Sequence, residues 1–154
     1  MTAVSLPPFE HFYVEHRAVV LACLRRLLGR TEAEDAFQET FLRALRGYDD
    51  LAHARNLRAW VLTIATRVAL DERRRRRPIP TADLEEPAAP DGRPAYAELA
   101  DLAGSLPPTE RAAVVLRYGY DLAYDDIGAA LGSSAEAARQ AASSGVRRLR
   151  RELQ

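Results

Sequence analysis

Apolar side chains recur every three to four residues through long stretches of the chain, which is the period of an amphipathic helix. The pattern is clearest between residues 31 and 47, where Thr31 and Glu34 match a capping box and Gly47 suits a helix end. The apolar positions of this second helix are Ala33, Ala36, Phe37, Thr40, Phe41, Ala44 and Leu45. Similar spacing predicts a first helix over about residues 8–28 and a third over about residues 57–76.

The chain changes character after residue 77. Residues 78–95 contain five prolines, several acidic side chains and no helical period, which is typical of an extended, poorly ordered linker. Residues 1–77 hold fourteen arginines against ten acidic residues, whereas residues 78–104 hold one arginine against six. This segregation of charge, hidden by a net charge of zero, predicts two modules joined by an acidic linker.

The last fifty residues predict several short packed helices. Pro107 and Pro108 suit the first turn of one helix, and a second runs over about residues 124–131. Gly132 then permits a sharp turn, and Ser133 with Glu136 forms another capping box ahead of the final helix. A short helix, a glycine turn and a capped second helix together predict a helix-turn-helix.

Composition excludes several classes of protein. A single cysteine, Cys23, rules out an internal disulfide, and with three scattered histidines it rules out the usual zinc sites. No apolar run approaches the roughly 20 residues that span a bilayer, and no secretory signal opens the chain, so we expect a cytoplasmic protein without membrane insertion. Because nucleophile, metal and phosphate-loop motifs are lacking, we expect no catalytic residues, cofactor or small-molecule substrate.

Two polar helix faces are candidates for binding. On the second helix Asp35, Gln38, Glu39 and Leu42 lie opposite the apolar face, and a leucine among polar residues indicates a partner. On the third helix Thr63, Thr66 and Arg67 precede five consecutive arginines, residues 73–77. Such a basic helix end, next to a polar face and Trp60, favours a surface that follows nucleic-acid phosphates. His11 and His16 are expected at the surface, and Cys23 in the core.

The chain resembles the extracytoplasmic-function sigma factors of bacterial RNA polymerase. Residues 33–42 (AEDAFQETFL) are similar to the polymerase-binding helix of that family. Residues 60–71 (WVLTIATRVALD), followed by arginines, are similar to its promoter-melting helix. Residues 106–111 (LPPTER), 116–119 (LRYG) and 124–132 (YDDIGAALG) are similar to its C-terminal DNA-binding domain. The three motifs stand in the family's order and, with the linker, cover nearly the whole chain.

The resemblance implies an all-α fold of two small helical domains joined by an acidic, proline-rich linker, with the helix-turn-helix in the second domain. The N-terminal domain, residues 1–77, would bind core polymerase and recognise and melt the −10 element. The linker, residues 78–95, would thread the polymerase's RNA channel. The C-terminal domain, residues 96–154, would bind the −35 element. The implied partners are the clamp helices of the largest subunit, the flap of the second-largest subunit, promoter DNA and, as a further candidate, an anti-sigma factor.

The resemblance also assigns roles to residues. Contact with core polymerase is expected from Asp35, Gln38, Glu39 and Leu42. Contact with the −10 element is expected from Tyr48, His53, Asn56, Arg58, Trp60, Thr63, Thr66, Arg67, Arg73 and Arg74. Contact with the −35 element is expected from Ser133, Ser134, Glu136, Arg139, Gln140, Ser143 and Arg147.

Two positions depart from the family pattern. Arg67 stands where the family commonly has asparagine, so a phosphate contact there is an alternative to base recognition. In the last helix, small residues replace two cations and a branched core residue, which predicts weaker phosphate attraction and looser packing. Two alternatives therefore stay open: a stand-alone helix-turn-helix regulator, and a sigma-like protein-interaction module that has lost promoter binding.

Overall fold

The computed structural model describes residues 6–51, 56–76 and 97–153, and every regular element within these ranges is helical. The helices are α1 (Phe9–Leu28), α2 (Arg30–Tyr48), α3 (Leu57–Arg76), α4 (Ala97–Leu102), α5 (Pro108–Val114), α6 (Tyr124–Leu131) and α7 (Ala135–Glu152). A 3-10 turn (Ala103–Ser105) follows α4, and a π-helical turn (Val115–Gly119) continues α5. The all-α prediction is confirmed, whereas the predicted linker lies outside the described residues.

Helices α1, α2 and α3 pack on one another as a three-helix bundle. Its centre is Phe12 of α1, whose ring is fully buried and lies 6.1 Å from the ring of Phe41 and 5.7 Å from that of Trp60. Helix α3 supplies Val61 and Leu62 to the same core. The apolar stripe read from the sequence of α2 therefore forms the buried side of that helix.

Helices α4 to α7 form the second domain. Helix α7 packs across α5 and α6, and its buried positions are Ala138, Ala142, Gly145 and Leu149. Gly132, with φ of 70°, ends α6 in the left-handed region and permits the turn into α7, as the sequence predicted. The helix-turn-helix is therefore α6, the Gly132 turn and α7.

The expectation of looser packing along α7 is wrong at Gly145. A Cβ atom built there would lie 2.6 Å from Cγ2 of Val114 and 3.2 Å from Cδ1 of Leu106. The missing side chain thus allows α7 to approach α5 more closely than an alanine would.

Several local predictions are also wrong. Helix α2 begins at Arg30 after Gly29, with no side-chain cap, so Thr31 is not its N-cap; the helix also continues past Gly47 to Tyr48. Ser134, not Ser133, caps α7, because its hydroxyl accepts a hydrogen bond from the Ala137 amide at 3.0 Å.

Two predictions of burial are wrong as well. His16 is buried rather than exposed, since its ring packs 5.0 Å from that of Phe12. Leu45, assigned to the core, is 53% exposed.

The two domains contact each other. Helix α3 lies along α6, and α1 lies against the π-helical turn and the segment around α5. Among the described helices, none combines the length and apolar character that crossing a membrane requires.

Candidate nucleic-acid interface

One face of α2 carries the residues predicted to bind a protein partner. Asp35, Gln38 and Leu42 are exposed, with 48% of Leu42 accessible, and Leu45 continues the row one turn further. Glu39 is half-buried, and its carboxylate accepts a hydrogen bond from Nε of the neighbouring Arg43 at 3.0 Å. We call these residues the α2 stripe: Asp35, Gln38, Glu39, Leu42 and Leu45. Sequence reasoning missed Leu45, because its spacing fits the edge of the apolar face as well as the polar one.

Three residues predicted to hold the −10 strand lie between the end of α2 and the first turn of α3, and each contacts other parts of the N-terminal domain. Tyr48 is buried, and its hydroxyl donates to the Pro7 carbonyl. Asn56 caps α3, since its side-chain oxygen accepts from the Ala59 amide at 3.1 Å. Trp60 is half-buried, with its ring 6.3 Å from that of Tyr48. His53 lies outside the described residues, so its predicted role has no placement here.

The two threonines of α3 turn their hydroxyls inward. Thr66 is fully buried and donates to the Leu62 carbonyl, and half-buried Thr63 donates to the Ala59 carbonyl, both at 2.8 Å. Each hydroxyl is thus occupied by its own helix. Of the pair, only Thr63 has any accessible surface for a ligand in this arrangement.

The arginines of α3 supply its positive charge. Arg58 donates to the Tyr120 carbonyl at 2.8 Å, and Arg67 donates through Nη2 to the Ala129 carbonyl at 2.7 Å. Arg73 donates to the Leu27 carbonyl at 3.1 Å, at the end of α1. The side chain of Arg74 is 76% exposed, with Asp71 3.8 Å away. We call Arg58, Thr63, Arg67 and Arg74 the α3 surface.

The exposed face of α7 forms a shallow groove of polar and charged side chains. Its lining residues are Glu136, Arg139, Gln140, Ser143, Ser144 and Arg147, which we call the α7 groove. Arg139 donates to both oxygens of Glu136, through Nε at 3.0 Å and also through Nη2. These hydrogen bonds lower the pKa of Glu136 and raise that of Arg139, so both stay charged at neutral pH. Ser133 and Ser134 are exposed at the start of the helix.

The structure therefore brings together most residues predicted for the −35 element. They share one side of the second helix of the helix-turn-helix, with the side chain of Arg147 donating to Ser144 at 3.1 Å at the far end. An α-helix with exposed charged and amide groups on one face suits the width of the DNA major groove.

Sequence reasoning missed a polar cluster between the domains. Arg26 of α1 is 7% exposed, and it donates to the Asp101 carboxylate at 3.0 Å and to the hydroxyl of Tyr120. Arg111 of α5 donates to the Arg26 carbonyl at 2.6 Å. One signal was available: Arg26 lies three residues after Cys23, on the buried side of α1, and a cation there requires a buried partner.

Electrostatics in this cluster follow from burial. Burial works to lower the pKa of Arg26, but Tyr120 and Asp101 together outweigh it and raise that pKa. Burial, with Arg73 nearby, lowers the pKa of Arg111 to about 10. Burial raises the pKa of Tyr120, so its hydroxyl stays protonated. All three residues keep the charge state in which the cluster is hydrogen-bonded at neutral pH.

Family models match both domains of the chain. Sigma-70 region 2 matches residues 12–79, which cover most of α1 and all of α2 and α3. Sigma-70 region 4 matches residues 102–151, which include the helix-turn-helix. The order of the two regions is the order expected from the sequence motifs.

Known proteins give the same result. The RNA polymerase sigma factor CarQ of Myxococcus xanthus is 32% identical over 154 residues, covering 94% of this chain and 88% of CarQ. The ECF RNA polymerase sigma factor SigG of Mycobacterium tuberculosis is 41% identical over 78 residues, covering 49% of this chain and 21% of SigG. This match therefore spans only about a fifth of the length of SigG.

A solved structure shares the fold. It is the sigma factor RpoE in complex with the anti-sigma factor NepR from Bartonella quintana, with a TM-score of 0.70 and 22% identity. The similarity covers 94% of this chain and 96% of RpoE. Given the two matched regions, the similarity to CarQ over most of both chains and the match to the ECF sigma factor SigG, this chain belongs to the extracytoplasmic-function sigma factors of RNA polymerase.

Proposed function

We propose that this protein binds core RNA polymerase and directs transcription initiation at specific promoters. The observation that carries the proposal is the match of regions 2 and 4, in order, to two helical domains with separate polar surfaces. The action proposed is binding rather than catalysis, with no cofactor and no small-molecule substrate. The place of action is the cytoplasm, where the polymerase works.

The α2 stripe is the proposed contact with core polymerase. Acidic and amide groups beside two exposed leucines offer both charge complementarity and apolar area to a helical partner. We assign this contact to the clamp helices of the largest subunit, and a contact of the C-terminal domain to the flap of the second-largest subunit.

The two DNA elements are assigned to different helices. The α3 surface, with Arg73, Asn56 and Trp60, is proposed to bind the melted −10 strand, where cations and aromatic rings support unstacked bases. Buried Thr66 and Tyr48 are left out of this proposal. The α7 groove, with Ser133 and Ser134, is proposed to read the −35 element in the major groove. The domain limits proposed are residues 1–77 and 96–154. An anti-sigma factor is a further proposed partner, as RpoE of Bartonella quintana has one.

Run-off transcription with core polymerase, this protein and fragmented genomic DNA tests the proposal. We expect defined transcripts with the wild-type chain and none with the double variant Asp35→Ala, Gln38→Ala, because the α2 stripe is lost. Both residues are exposed, so the free energy of unfolding should change by no more than about 0.5 kcal/mol each. The control Glu10→Ala, His11→Ala changes two exposed residues of α1 and should transcribe normally.

Pull-down by core polymerase separates the remaining alternatives. A chain that binds duplex DNA but not polymerase would be a stand-alone regulator. A chain that binds polymerase but yields no promoter-specific transcript would be an interaction module. Normal holoenzyme assembly by the Asp35→Ala, Gln38→Ala variant would place the polymerase contact elsewhere.

A further inference from the structure

The first two turns of α7 contain an arginine whose orientation is set by a neighbouring carboxylate. Arg139 donates to both oxygens of Glu136, from Nε at 3.0 Å and also from Nη2. The two residues are three apart in the sequence, so they lie on one face of the helix. Nε2 of Gln140 lies 3.5 Å from the Glu136 oxygen that accepts from Nη2. One carboxylate therefore contacts both long polar side chains at this end of the α7 groove.

This bidentate pair leaves one edge of the guanidinium open. A guanidinium has five N–H groups in a single plane. Nε and Nη2 each use one N–H on Glu136, so both N–H groups of Nη1 and the second one of Nη2 are left for a ligand. Within the described part of the chain, Arg139 hydrogen-bonds to Glu136 alone, and 56% of its side chain is exposed. Its open edge thus offers two parallel donors, one on Nη1 and one on Nη2.

Two parallel donors match guanine better than the other three bases. Guanine presents the acceptors O6 and N7 side by side in the major groove, whereas adenine presents one acceptor beside a donor. Cytosine presents a donor there, and thymine presents one acceptor beside a methyl group. Residues near the start of the second helix of a helix-turn-helix contact base edges, and Arg139 lies in that part of α7. Its open edge therefore suits one guanine.

We propose that Glu136 is a positioning residue for promoter recognition, which holds the guanidinium of Arg139 in the orientation that reads one guanine of the −35 element. The inference rests on the proposed function, because it concerns the α7 groove, which is assigned there to that element. Glu136 acts through Arg139 and sets its orientation before DNA binds. Less side-chain entropy is then lost when the contact with guanine forms.

The effect of Glu136 belongs to DNA binding rather than to folding. The side chains of Glu136 and Arg139 are 59% and 56% exposed, and an exposed ion pair contributes little to the stability of a fold. Ordering one long side chain at an interface reduces affinity by about 2- to 12-fold. An arginine without Glu136 loses this freedom only where it contacts guanine. Removing Glu136 should therefore lower the preference for guanine.

The test measures base preference at every position of the bound DNA. Duplexes with a random segment long enough for both promoter elements are selected by the full chain, alone and with core polymerase, and then sequenced. Arg139→Ala should abolish the preference for guanine at one position, which identifies the base that Arg139 contacts. Glu136→Ala should lower the guanine preference at that same position by about 2- to 12-fold. Preferences outside the −35 element should not change.

Glu152→Ala is the matched control, since Glu152 is an exposed acidic residue in the last turn of the same helix. Both variants remove one negative charge, so both should bind all sequences somewhat more tightly. Only Glu136→Ala should change the guanine preference. Glu136→Gln is a second variant, which keeps the side-chain length but can accept only one of the two hydrogen bonds from Arg139. It should lower the guanine preference by a smaller factor than Glu136→Ala.

A base analogue tests the geometry of the contact directly. In a duplex of the selected sequence, 7-deazaguanine replaces the guanine at the identified position. The analogue lacks the N7 acceptor but keeps O6, so it removes one of the two partners of the open edge. We expect wild-type binding to weaken about fivefold, and binding by Glu136→Ala to weaken less.

Each outcome decides one part of the proposal. An unchanged guanine preference in Glu136→Ala, or an equal change in Glu152→Ala, would overturn the role of Glu136. A guanine preference retained by Arg139→Ala would overturn the contact assigned to Arg139. If no selection enriches any sequence, the inference fails together with the assignment of α7 to duplex DNA. If run-off transcription fails while the contrast between the glutamate variants holds for the chain alone, the proposed function is wrong but the role of Glu136 stands.

Discussion

At the scale of single residues, arginines stabilise the carboxyl ends of two helices, α1 and α6. The last carbonyls of an α-helix have no partner within the helix and need donors from elsewhere. Arg73 donates to Leu27 and Arg111 to Arg26, both in the last turn of α1, and Arg67 donates to Ala129 in α6. All 22 basic residues of the chain are arginines, and a planar guanidinium offers several donors to such sites where lysine offers a point charge.

The adjacent serines before α7 give a prediction at this scale. Ser134→Ala removes the oxygen that accepts from the Ala137 amide, so the free energy of unfolding should fall by about 1 kcal/mol. Ser133→Ala is the control, since no such cap is formed there and its effect should stay within about 0.5 kcal/mol. Urea denaturation followed by circular dichroism measures both. A larger loss in Ser133→Ala would move the cap back to the position that the sequence indicated.

The serine pair shows that residue type alone does not decide which of two neighbouring residues caps a helix. Ser133 and Ser134 have the same capping chemistry, so the sequence predicts a cap but does not choose between neighbours. The choice follows from backbone geometry: Ser134 is extended, with ψ of 165°, while Ser133 still belongs to the turn after α6, where its amide donates to the Gly128 carbonyl at 2.8 Å.

At the scale of elements, the helical period predicted the positions of the helices well. It predicted less well which residues beside each apolar face are buried. The period placed Phe41 and Ala44 correctly in the core of α2 but also placed Leu45 there. The sequence pattern did not identify Arg26 as buried, and it predicted His16 at the surface, although both side chains are buried. The reason is physical: period identifies one apolar face, whereas a helix that packs against two neighbours buries part of its polar face as well.

Gly145 gives a prediction about the packing of α7 on α5. Gly145→Ala should raise helix propensity by about 1 kcal/mol, but the new Cβ would lie 2.6 Å from Val114. Overpacking of a close contact costs about 1–3 kcal/mol, so we expect a net loss of stability. Thermal unfolding measures this effect, with Ser143→Ala, exposed on the same helix, as the control. A gain of stability in Gly145→Ala would mean that α7 withdraws from α5 at little cost.

At the scale of the whole molecule, the two proposed DNA contacts differ in kind. The end of α3 carries exposed cations, with Arg74 and Arg75 each more than three-quarters exposed. These two pair with Asp71 and Glu72, but residues 73–76 are four arginines against those two carboxylates. The α7 groove has two arginines, Arg139 and Arg147, against the carboxylate of Glu136, which leaves a smaller surplus of positive charge. The first surface suits phosphates and the second suits base edges.

This difference predicts two separable phenotypes for the holoenzyme on promoter DNA. Arg74→Gln with Arg75→Gln should flatten the log–log salt dependence of binding by about 1.4–1.8 units, since each phosphate contact contributes about 0.7–0.9. Arg139→Ala with Gln140→Ala should weaken −35 preference by about 1–3 kcal/mol. Salt titrations on matched and mismatched promoters measure both. An exchange of the two phenotypes would show that the surfaces are assigned the wrong way round.

The carbonyl contacts of Arg58 and Arg67 have a consequence for how this chain can diverge. A backbone carbonyl is present whatever side chain follows it, so substitutions at Ala129 or along α7 leave both acceptors in place. The residues of the α7 groove can therefore change without loosening the contact between the domains. A variant selected for a different −35 sequence should keep the hydrogen bonds of Arg58 and Arg67 to the C-terminal domain.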